Sequence, residues 1–320
     1  MAIYAKKVTK MKIAIIGQQD FGKSVLDAFL ARGDEVAGVF CAPEKEGARP
    51  DVLRVAAQEK GLRVFQFPSL KDGQARDTLK ALDVDIGIMA FVLQFAPQDF
   101  VKIPKHGTIQ YHPSLLPKFR GPSSINWPII KGETTTGLTI FRPNDGLDEG
   151  EVILQKQTPV SADDTLGTVY FDRLFPMGVA AMLEAADLVV AGKHRQTVQD
   201  ESQASYEGWC RAAEAKVNWN GHVDYIHNLI RGCDPAPGAW TTLGGKKVQL
   251  FGSAKHLVRT FGAVKGKPGE ISAVTETSLF VTAQGGQIEI AKLKHEDGKK
   301  ISAKEFFAVQ GLAIGSVFGT

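Results

Sequence analysis

The chain has 320 residues, of which 43% are hydrophobic and 23% are charged, and its formal net charge is +3 at pH 7. This composition is typical of a globular protein, and the length accommodates two domains or one large core. The net charge is too small to indicate a nucleic-acid-binding protein by itself.

The three cysteines, Cys41, Cys210 and Cys233, show no paired spacing. Such cysteines favour a reducing compartment, and they argue against a disulfide framework and a zinc site. The chain has no apolar run of the roughly 18 residues that a membrane span needs. Residues 1–10 are polar, differ from a signal peptide and are interpreted as an N-terminal extension. These features together predict a cytoplasmic protein that binds no metal and no membrane.

Short apolar runs alternate with helical patterns through the first half of the chain. The runs that predict strands are residues 12–16, 36–40, 62–67, 86–90, 108–111 and 137–141. The segments that predict helices between the first four strands are 21–31, 52–60 and 75–82. This alternation predicts an α/β fold with a Rossmann-like, mostly parallel sheet and helices on both faces. Ligands of such sheets bind beyond the carboxyl ends of the strands, where the loops converge.

The turn after the first predicted strand has the sequence Gly-Gln-Gln-Asp-Phe-Gly, residues 17–22. A dinucleotide-binding fingerprint requires glycine at the third position of this turn, where Gln19 stands. We therefore favour a structural strand–helix turn over a nucleotide site.

The second half of the chain changes character after Gly192. Residues 151–160 predict a hairpin arm and 166–191 predict one long helix, whereas 193–216 are polar and irregular, as in a linker. A helix is predicted at 223–231, and the short strands predicted after it are 247–251, 269–274, 278–282 and 287–293. The predicted domains are thus a catalytic domain at 11–192, the linker at 193–216, and a small C-terminal β-barrel (OB-like) domain at 217–320.

A histidine and an aspartate follow two successive predicted strands. His112 directly precedes Pro113, which holds the histidine backbone extended, and Asp148 lies in the glycine-flanked loop 145–150. A histidine and a carboxylate on neighbouring loops suit acid–base chemistry on a carbonyl-like group. Each also has a simpler interpretation, because hydrogen-bonded histidines and Asp-Gly pairs are common in turns. Arg120 is equally compatible with binding an anion and with covering a loop.

Two motifs around these residues resemble a known family. Tyr111-His-Pro-Ser-Leu-Leu-Pro-Lys-Phe-Arg-Gly121 and Asp145-Gly-Leu-Asp-Glu-Gly150 resemble the paired signatures of the folate-dependent formyltransferases, which include methionyl-tRNA formyltransferase. The resemblance extends from residue 11 to about 315. Within the family, 124–127 and 171–176 are most similar to the N-terminal hydrolase domain of 10-formyltetrahydrofolate dehydrogenase. The tRNA enzymes carry a longer basic loop where this chain has only residues 43–50.

The resemblance implies a formyl donor, 10-formyltetrahydrofolate, no metal, and a set of site residues. His112 and Asp148 correspond to the catalytic pair, and Gln110 stands where the transferases place an asparagine, so that its amide is one methylene longer. The implied substrate-binding residues are Met89, Ala90, Phe91, Leu93, Ser114, Leu115, Arg120, Gly121, Arg142 and Asp145.

Three functions remain open at this point. The first, which the short basic loop favours, is hydrolysis of 10-formyltetrahydrofolate to tetrahydrofolate and formate. The second is transfer of the formyl group to an amine acceptor, such as methionyl-tRNA or an amino sugar. The third is a folate-binding module without activity, against which the pair of His112 and Asp148 argues, because binding alone needs no proton-transfer couple.

Overall fold

A computed structural model describes residues 10–260 and 264–320, so the predicted extension lies, apart from residue 10, outside the described residues. The chain divides into two compact units. The first is formed by the described residues up to Arg120 together with Gly137–Gln157 and Leu174–Tyr206. The second is formed by Gly121–Thr136, Thr158–Arg173 and Glu207–Thr320. The second unit thus takes two segments from the predicted catalytic region, and the predicted domain bounds stay a prediction.

A seven-stranded sheet with the order β3-β2-β1-β4-β5-β6-β7 organises the first unit. Its strands are β1 (Lys12–Gly17), β2 (Glu35–Cys41), β3 (Val64–Gln66), β4 (Ile86–Ala90), β5 (Thr108–His112), β6 (Thr135–Phe141) and β7 (Val152–Pro159). β1 to β5 pair in parallel, and β6 runs antiparallel to β5. The predicted mostly parallel α/β sheet is therefore confirmed.

Helices cover both faces of this sheet, as the sequence predicts. They are α1 (Gln19–Arg32), α2 (Val52–Glu59), α3 (Gly73–Leu82), α4 (Gln98–Val101) and, later in the chain, α7 (Phe175–Val190). Successive strand residues point to opposite faces, so Ile13 packs in the layer with α1, α2 and α7, while Ala14 packs in the layer with α3 and α4. Burying one large apolar side chain in such a layer contributes about 1.5–3 kcal/mol.

The long helix predicted at 166–191 is interrupted. The chain forms a short helix α6 (Leu166–Val169), a π-helical turn (Tyr170–Leu174) and then α7. Pro176 occupies the first turn of α7 and has no backbone N–H to donate to the preceding turn. The continuous apolar pattern predicted helix throughout, but it carries no signal for the local change of hydrogen-bond register.

An antiparallel sheet with the order β10-β11-β12-β9-β8 organises the second unit, and β13 pairs with β12. The strands are β8 (Ala239–Leu243), β9 (Lys246–Leu257), β10 (Ile271–Val274), β11 (Leu279–Ala283), β12 (Gly286–His295) and β13 (Ile301–Ser302). The helices are α5 (Asn126–Ile130), α8 (Val223–Gly232) and α9 (Ala303–Val309). Ile226 and Ile230 of α8 are buried in the core of this unit. The C-terminal β domain is confirmed, whereas β8, β13, α5 and α9 were not predicted. Within the two described ranges, no helix has the length and apolar character for crossing a membrane.

Candidate active site

His112 and Asp148 lie side by side in the first unit. The Nδ1 atom of His112 is 3.6 Å from Oδ2 of Asp148, and both side chains are 7% exposed. This separation is longer than a hydrogen bond but within the range of an ion pair. Partial removal from water strengthens the interaction between a carboxylate and an imidazolium. The two residues that the sequence singled out for acid–base chemistry are therefore neighbours in a site that is nearly closed to solvent.

The aspartate reaches the histidine by a route that the sequence did not predict. β5 and β6 are antiparallel, with His112 paired to Thr139 and Gln110 paired to Phe141, so the carboxyl ends of the two strands lie at opposite edges of the sheet. The loop after β6 begins and ends at a backbone hydrogen bond that Arg142 N donates to Glu151 O at 2.9 Å. Because Asp148 contacts His112, this loop folds back toward the carboxyl end of β5.

Asp148 has a left-handed backbone, with φ of 57°. This conformation is costly for most residues and is tolerated best by glycine, asparagine and aspartate. The aspartate therefore meets two requirements at this position, a carboxylate beside His112 and a backbone that accepts a positive φ.

The proton position on His112 follows from its other neighbour. Nε2 lies 2.9 Å from the carbonyl oxygen of Phe119. A carbonyl oxygen only accepts, so Nε2 carries a proton and donates it. The nitrogen that faces Asp148 is then Nδ1, and a proton there creates an imidazolium beside a carboxylate. The ring therefore presents Nε2–H to the carbonyl oxygen of Phe119 and Nδ1 to the carboxylate of Asp148.

The loop after β5 is held by buried polar contacts. Ser114 is fully buried, and its Oγ donates to Lys118 O at 2.7 Å. Thr139 of β6 donates from Oγ1 to Ser114 O at 2.7 Å and accepts from Leu116 N at 3.1 Å. Gln155 of β7 donates to the same hydroxyl at 3.0 Å. Ser114, which was predicted to bind substrate, therefore helps to hold this loop in its conformation.

Arg120 is buried and neutralised by residues from the predicted linker. Its Nη1 and Nη2 atoms donate to the two carboxylate oxygens of Glu201 at 2.9 and 2.6 Å. Its Nε and Nη2 also donate to Oε1 of Gln199 at 3.2 and 2.9 Å. The hydrogen bonds to Glu201 raise the pKa of Arg120 above its ordinary value. Of the two interpretations of Arg120, this environment favours the one in which it fixes loops.

Gln110 lies on β5 two residues before His112, so the two side chains point to the same face of the sheet. Its backbone pairs with Met89 of β4 on one side and Phe141 of β6 on the other. Gln110 is half-buried. The Gln110 side chain thus lies on the same face of the sheet as that of His112, and its catalytic role stays a prediction.

The residues predicted to surround a pterin differ in exposure. Met89 and Ala90 are buried in β4, so they offer chiefly backbone atoms. Phe91 and Leu93, in the loop that follows, are 38% and 57% exposed, and Phe91 has φ of 61°. Together with half-buried Leu115, these loop residues offer the apolar surface that an aromatic ring system requires.

The remaining predicted binding residues occupy different surroundings. Arg142 donates to the carbonyl oxygens of His106 and Thr108, and burial lowers its pKa. Asp145 is exposed in the loop after β6. Gly121 is buried and follows Arg120 directly in the chain. Their roles as substrate contacts stay predictions. Within the described ranges, no cluster of three or more His, Cys, Asp or Glu side chains is arranged to hold a metal ion.

Comparison with known proteins gives two family models that match the sequence. The model described as formyl transferase matches residues 11–185, and the model described as formyl transferase, C-terminal domain, matches residues 210–311. The cytosolic 10-formyltetrahydrofolate dehydrogenase of Xenopus tropicalis is 40% identical over 309 residues, which cover 93% of this chain and 34% of that protein. The chain thus spans about a third of the length of this relative. Methionyl-tRNA formyltransferase of Syntrophus aciditrophicus (strain SB) is 32% identical over 317 residues, covering 98% of this chain and 100% of that protein.

Solved structures with the same fold include two with folate compounds. HypX from Aquifex aeolicus in complex with tetrahydrofolic acid has a TM-score of 0.67 at 20% identity, over 93% of this chain and 47% of that one. WlaRD, a sugar 3N-formyl transferase, has a TM-score of 0.65 at 18% identity, over 91% of this chain and 100% of that one. At these identities the comparison establishes the fold alone.

Proposed function

This chain belongs to the formyl transferase family of enzymes, whose formyl donor is 10-formyltetrahydrofolate, and we propose that it cleaves the N10-formyl group by hydrolysis, giving tetrahydrofolate and formate. The observation that carries the proposal is the buried neighbourhood of His112 and Asp148, at 3.6 Å. The higher identity to the dehydrogenase, 40% against 32% for the tRNA enzyme, favours water over an amine as the acceptor. We assign this chemistry to the predicted catalytic domain, residues 11–192.

The formyl carbon of the donor is an amide carbonyl. Attack by water gives a tetrahedral intermediate with a negatively charged oxygen, and breaking the bond between carbon and N10 then releases formic acid, which ionises to formate by losing its proton to the solvent. A donor that is aimed at this oxygen stabilises the transition state more than the substrate, and losing one such donor typically costs about 3 kcal/mol. We assign this role to the N–H at Nδ1 of His112, because Nε2 donates to the carbonyl oxygen of Phe119, with the Gln110 amide assisting.

Asp148 has two tasks in this scheme. Its negative charge stabilises positive charge on the ring of His112, and its carboxylate accepts a proton from the attacking water. The proton then has to reach N10, because tetrahydrofolate leaves as the neutral amine. A carboxylate that first accepts and then returns a proton balances both steps without any further group.

The test is release of tetrahydrofolate from 10-formyltetrahydrofolate by the purified chain without an acceptor. Steady turnover is expected, with one formate formed for each tetrahydrofolate. A chain that is silent with water but active after addition of methionyl-tRNA or an amino sugar would be a transferase instead.

Transfer to an amine is the second candidate, and one observation favours it. Gln110 keeps a side-chain amide at the position where the transferases place an asparagine, and the Syntrophus methionyl-tRNA formyltransferase is 32% identical to this chain. Under this alternative, Asp148 accepts a proton from the attacking amine in place of water. An acceptor panel of methionyl-tRNA and nucleotide-linked amino sugars separates the two cases.

A substitution at Gln110 tests whether its amide assists catalysis. Gln110→Leu keeps a side chain of similar size but removes the amide oxygen and the amide NH2, so we expect kcat to fall about tenfold, less than for the loss of a dedicated oxyanion donor. The KM for the donor is expected to change little, because the interaction forms mainly in the transition state. An unchanged kcat would remove Gln110 from the catalytic residues.

A further inference from the structure

Gln199 lies between Arg120 and the loop that carries Asp148, and all of its amide atoms are engaged. Nε2 donates to the carbonyl oxygens of Asp148 at 2.8 Å and Gly150 at 2.7 Å. Oε1 accepts from Nε and Nη2 of Arg120 at 3.2 and 2.9 Å. The side chain is buried, with 6% exposed. One amide therefore joins the end of the His112 loop to the Asp148 loop.

The chemistry of the partners fixes the orientation of this amide. A guanidinium only donates and a backbone carbonyl only accepts, so Oε1 must face Arg120 and Nε2 must face the carbonyls of Asp148 and Gly150. No rotation of the amide by 180° preserves these contacts. The arrangement thus requires an amide and cannot be made by a carboxylate of the same shape.

The same segment also holds the partner of His112. Ser205 accepts from Phe119 N through its Oγ at 2.8 Å, and Ser205 O accepts from Arg120 N at 2.9 Å. Ser205 N donates to Pro117 O at 3.1 Å. The carbonyl that accepts from Nε2 of His112 belongs to Phe119. Residues 199–205 therefore bind the backbone on both sides of the catalytic pair.

We propose that Gln199 is a positioning residue, which sets the distance between Asp148 and His112 by holding the main chain of the aspartate loop against Arg120. The inference rests on the proposed formyl cleavage and goes beyond it, because Gln199 contacts Arg120 and two main-chain carbonyls and so acts through the position of Asp148. Arg120 acts with it, and Glu201 balances the charge of the guanidinium. The polar segment 193–216 thereby helps to fix the positions of the active-site loops.

The decisive variant is Gln199→Glu, with Gln203→Glu as its matched control. In Gln199→Glu one carboxylate oxygen still accepts from Arg120. The other oxygen replaces the NH2 group that donates to the carbonyls of Asp148 and Gly150, so these carbonyls lose their donor. Gln203 lies in the same segment and is exposed, and its side chain donates to Asp200 at 3.1 Å. We expect Gln199→Glu to lower kcat 10- to 100-fold, because displacement of a catalytic group by about 1 Å has effects of this order. KM for the donor is expected to stay within about threefold, and Gln203→Glu should resemble wild type.

Two further measurements separate positioning from a general loss of folding. Rates are normalised to the folded fraction, determined as the stoichiometry of 5-formyltetrahydrofolate binding. Deuterium uptake of peptides that cover 142–151 should rise in Gln199→Glu and remain at the wild-type level in Gln203→Glu. If Gln199→Glu does not fold, Gln199→Asn takes its place, because its shorter amide cannot span Arg120 and both carbonyls and should still lower kcat several-fold.

A kcat of Gln199→Glu, or of Gln199→Asn, that stays within twofold of wild type overturns the inference. An equal loss in Gln203→Glu also overturns it. If wild type cleaves the formyl donor with neither water nor an amine, the proposed function fails. The uptake comparison then decides the inference alone, and unchanged uptake over 142–151 in Gln199→Glu overturns it.

Discussion

Replacing His112 with alanine is expected to lower kcat for cleavage of 10-formyltetrahydrofolate by about 10³-fold. In the proposed mechanism the imidazole is the main donor to the developing oxyanion, and loss of one such donor costs about 10²- to 10³-fold, to which lost proton transfer adds. The affinity for the folate should change little, because the ring of His112 is 7% exposed and offers little surface to the pterin. Single-turnover kinetics together with direct folate binding measure the two effects separately.

The partner variant is Asp148→Asn, for which we expect a loss of 10²- to 10³-fold. Asparagine retains the shape of the side chain and tolerates the left-handed backbone of residue 148, so the loop should keep its conformation. Alanine at this position would add backbone strain to the loss of the carboxylate. The asparagine variant therefore reports on charge and proton transfer alone.

A control variant and a double variant allow these two predictions to be refuted. His256, in the second unit, also lies beside a carboxylate, with Nε2 2.8 Å from Oε2 of Glu289, so His256→Ala removes a similar pair and should leave turnover unchanged. If His112 and Asp148 act as one unit, the double variant should be little worse than either single one. Additive losses would show that the two act independently, and a His112→Ala enzyme with normal kcat would refute the mechanism.

The second large effect is expected at Gly150, which ends the aspartate loop. A Cβ atom built on Gly150 would lie 1.5 Å from the backbone oxygen of Arg142, so even alanine forces the two chain segments apart. Gly150 O also accepts one of the two hydrogen bonds from Gln199. We expect Gly150→Ala to lower the free energy of unfolding by about 1–3 kcal/mol and to lower kcat at least tenfold, because the loop carries Asp148. Thermal unfolding and steady-state kinetics of the folded fraction test both effects.

Gly146 in the same loop provides the matched control. A Cβ atom there meets the carboxylate end of Glu149, and this exposed side chain can rotate away at the cost of a long ion pair with Arg120 at 3.8 Å. Gly146→Ala should therefore retain stability and activity near wild type. A Gly150→Ala protein that unfolds and turns over like Gly146→Ala would show that the close approach between Gly150 and Arg142 is dispensable.

The sequence predicted the neighbourhood of His112 and Asp148 for reasons that are local. Pro113 and the glycines around Asp148 mark loops, and loops at strand ends are where polar side chains converge. The direction of β6 was not predictable in the same way, because alternation and burial are equal for a strand that runs parallel or antiparallel to its neighbour. The fold-back of the aspartate loop therefore became visible only in the structure.

Gln199 illustrates a second limit of prediction from sequence. Its partners are a guanidinium and two backbone carbonyls from 49 to 79 positions earlier in the chain, and backbone acceptors leave no trace in residue identity. A polar stretch without periodicity has the composition of a linker. A segment whose side chains donate hydrogen bonds to buried carbonyls has the same composition, so the sequence does not separate the two. One signal was present in the sequence. Arg120 is a cation next to the predicted active site, and a buried cation requires anionic or polar partners, which the structure shows to be Glu201 and Gln199.

The order of the chain gives this arrangement a consequence for biosynthesis. His112 and Asp148 leave the ribosome before residues 199–205, so the sheet and both catalytic side chains exist for a time without the amide that joins their loops. A nascent chain at that stage has the residues of an active site but lacks the bonds that fix their spacing. If Gln199 positions the catalytic pair as proposed, competence for formyl cleavage arises late in translation, when the segment after α7 reaches Phe119 and the loop of Asp148.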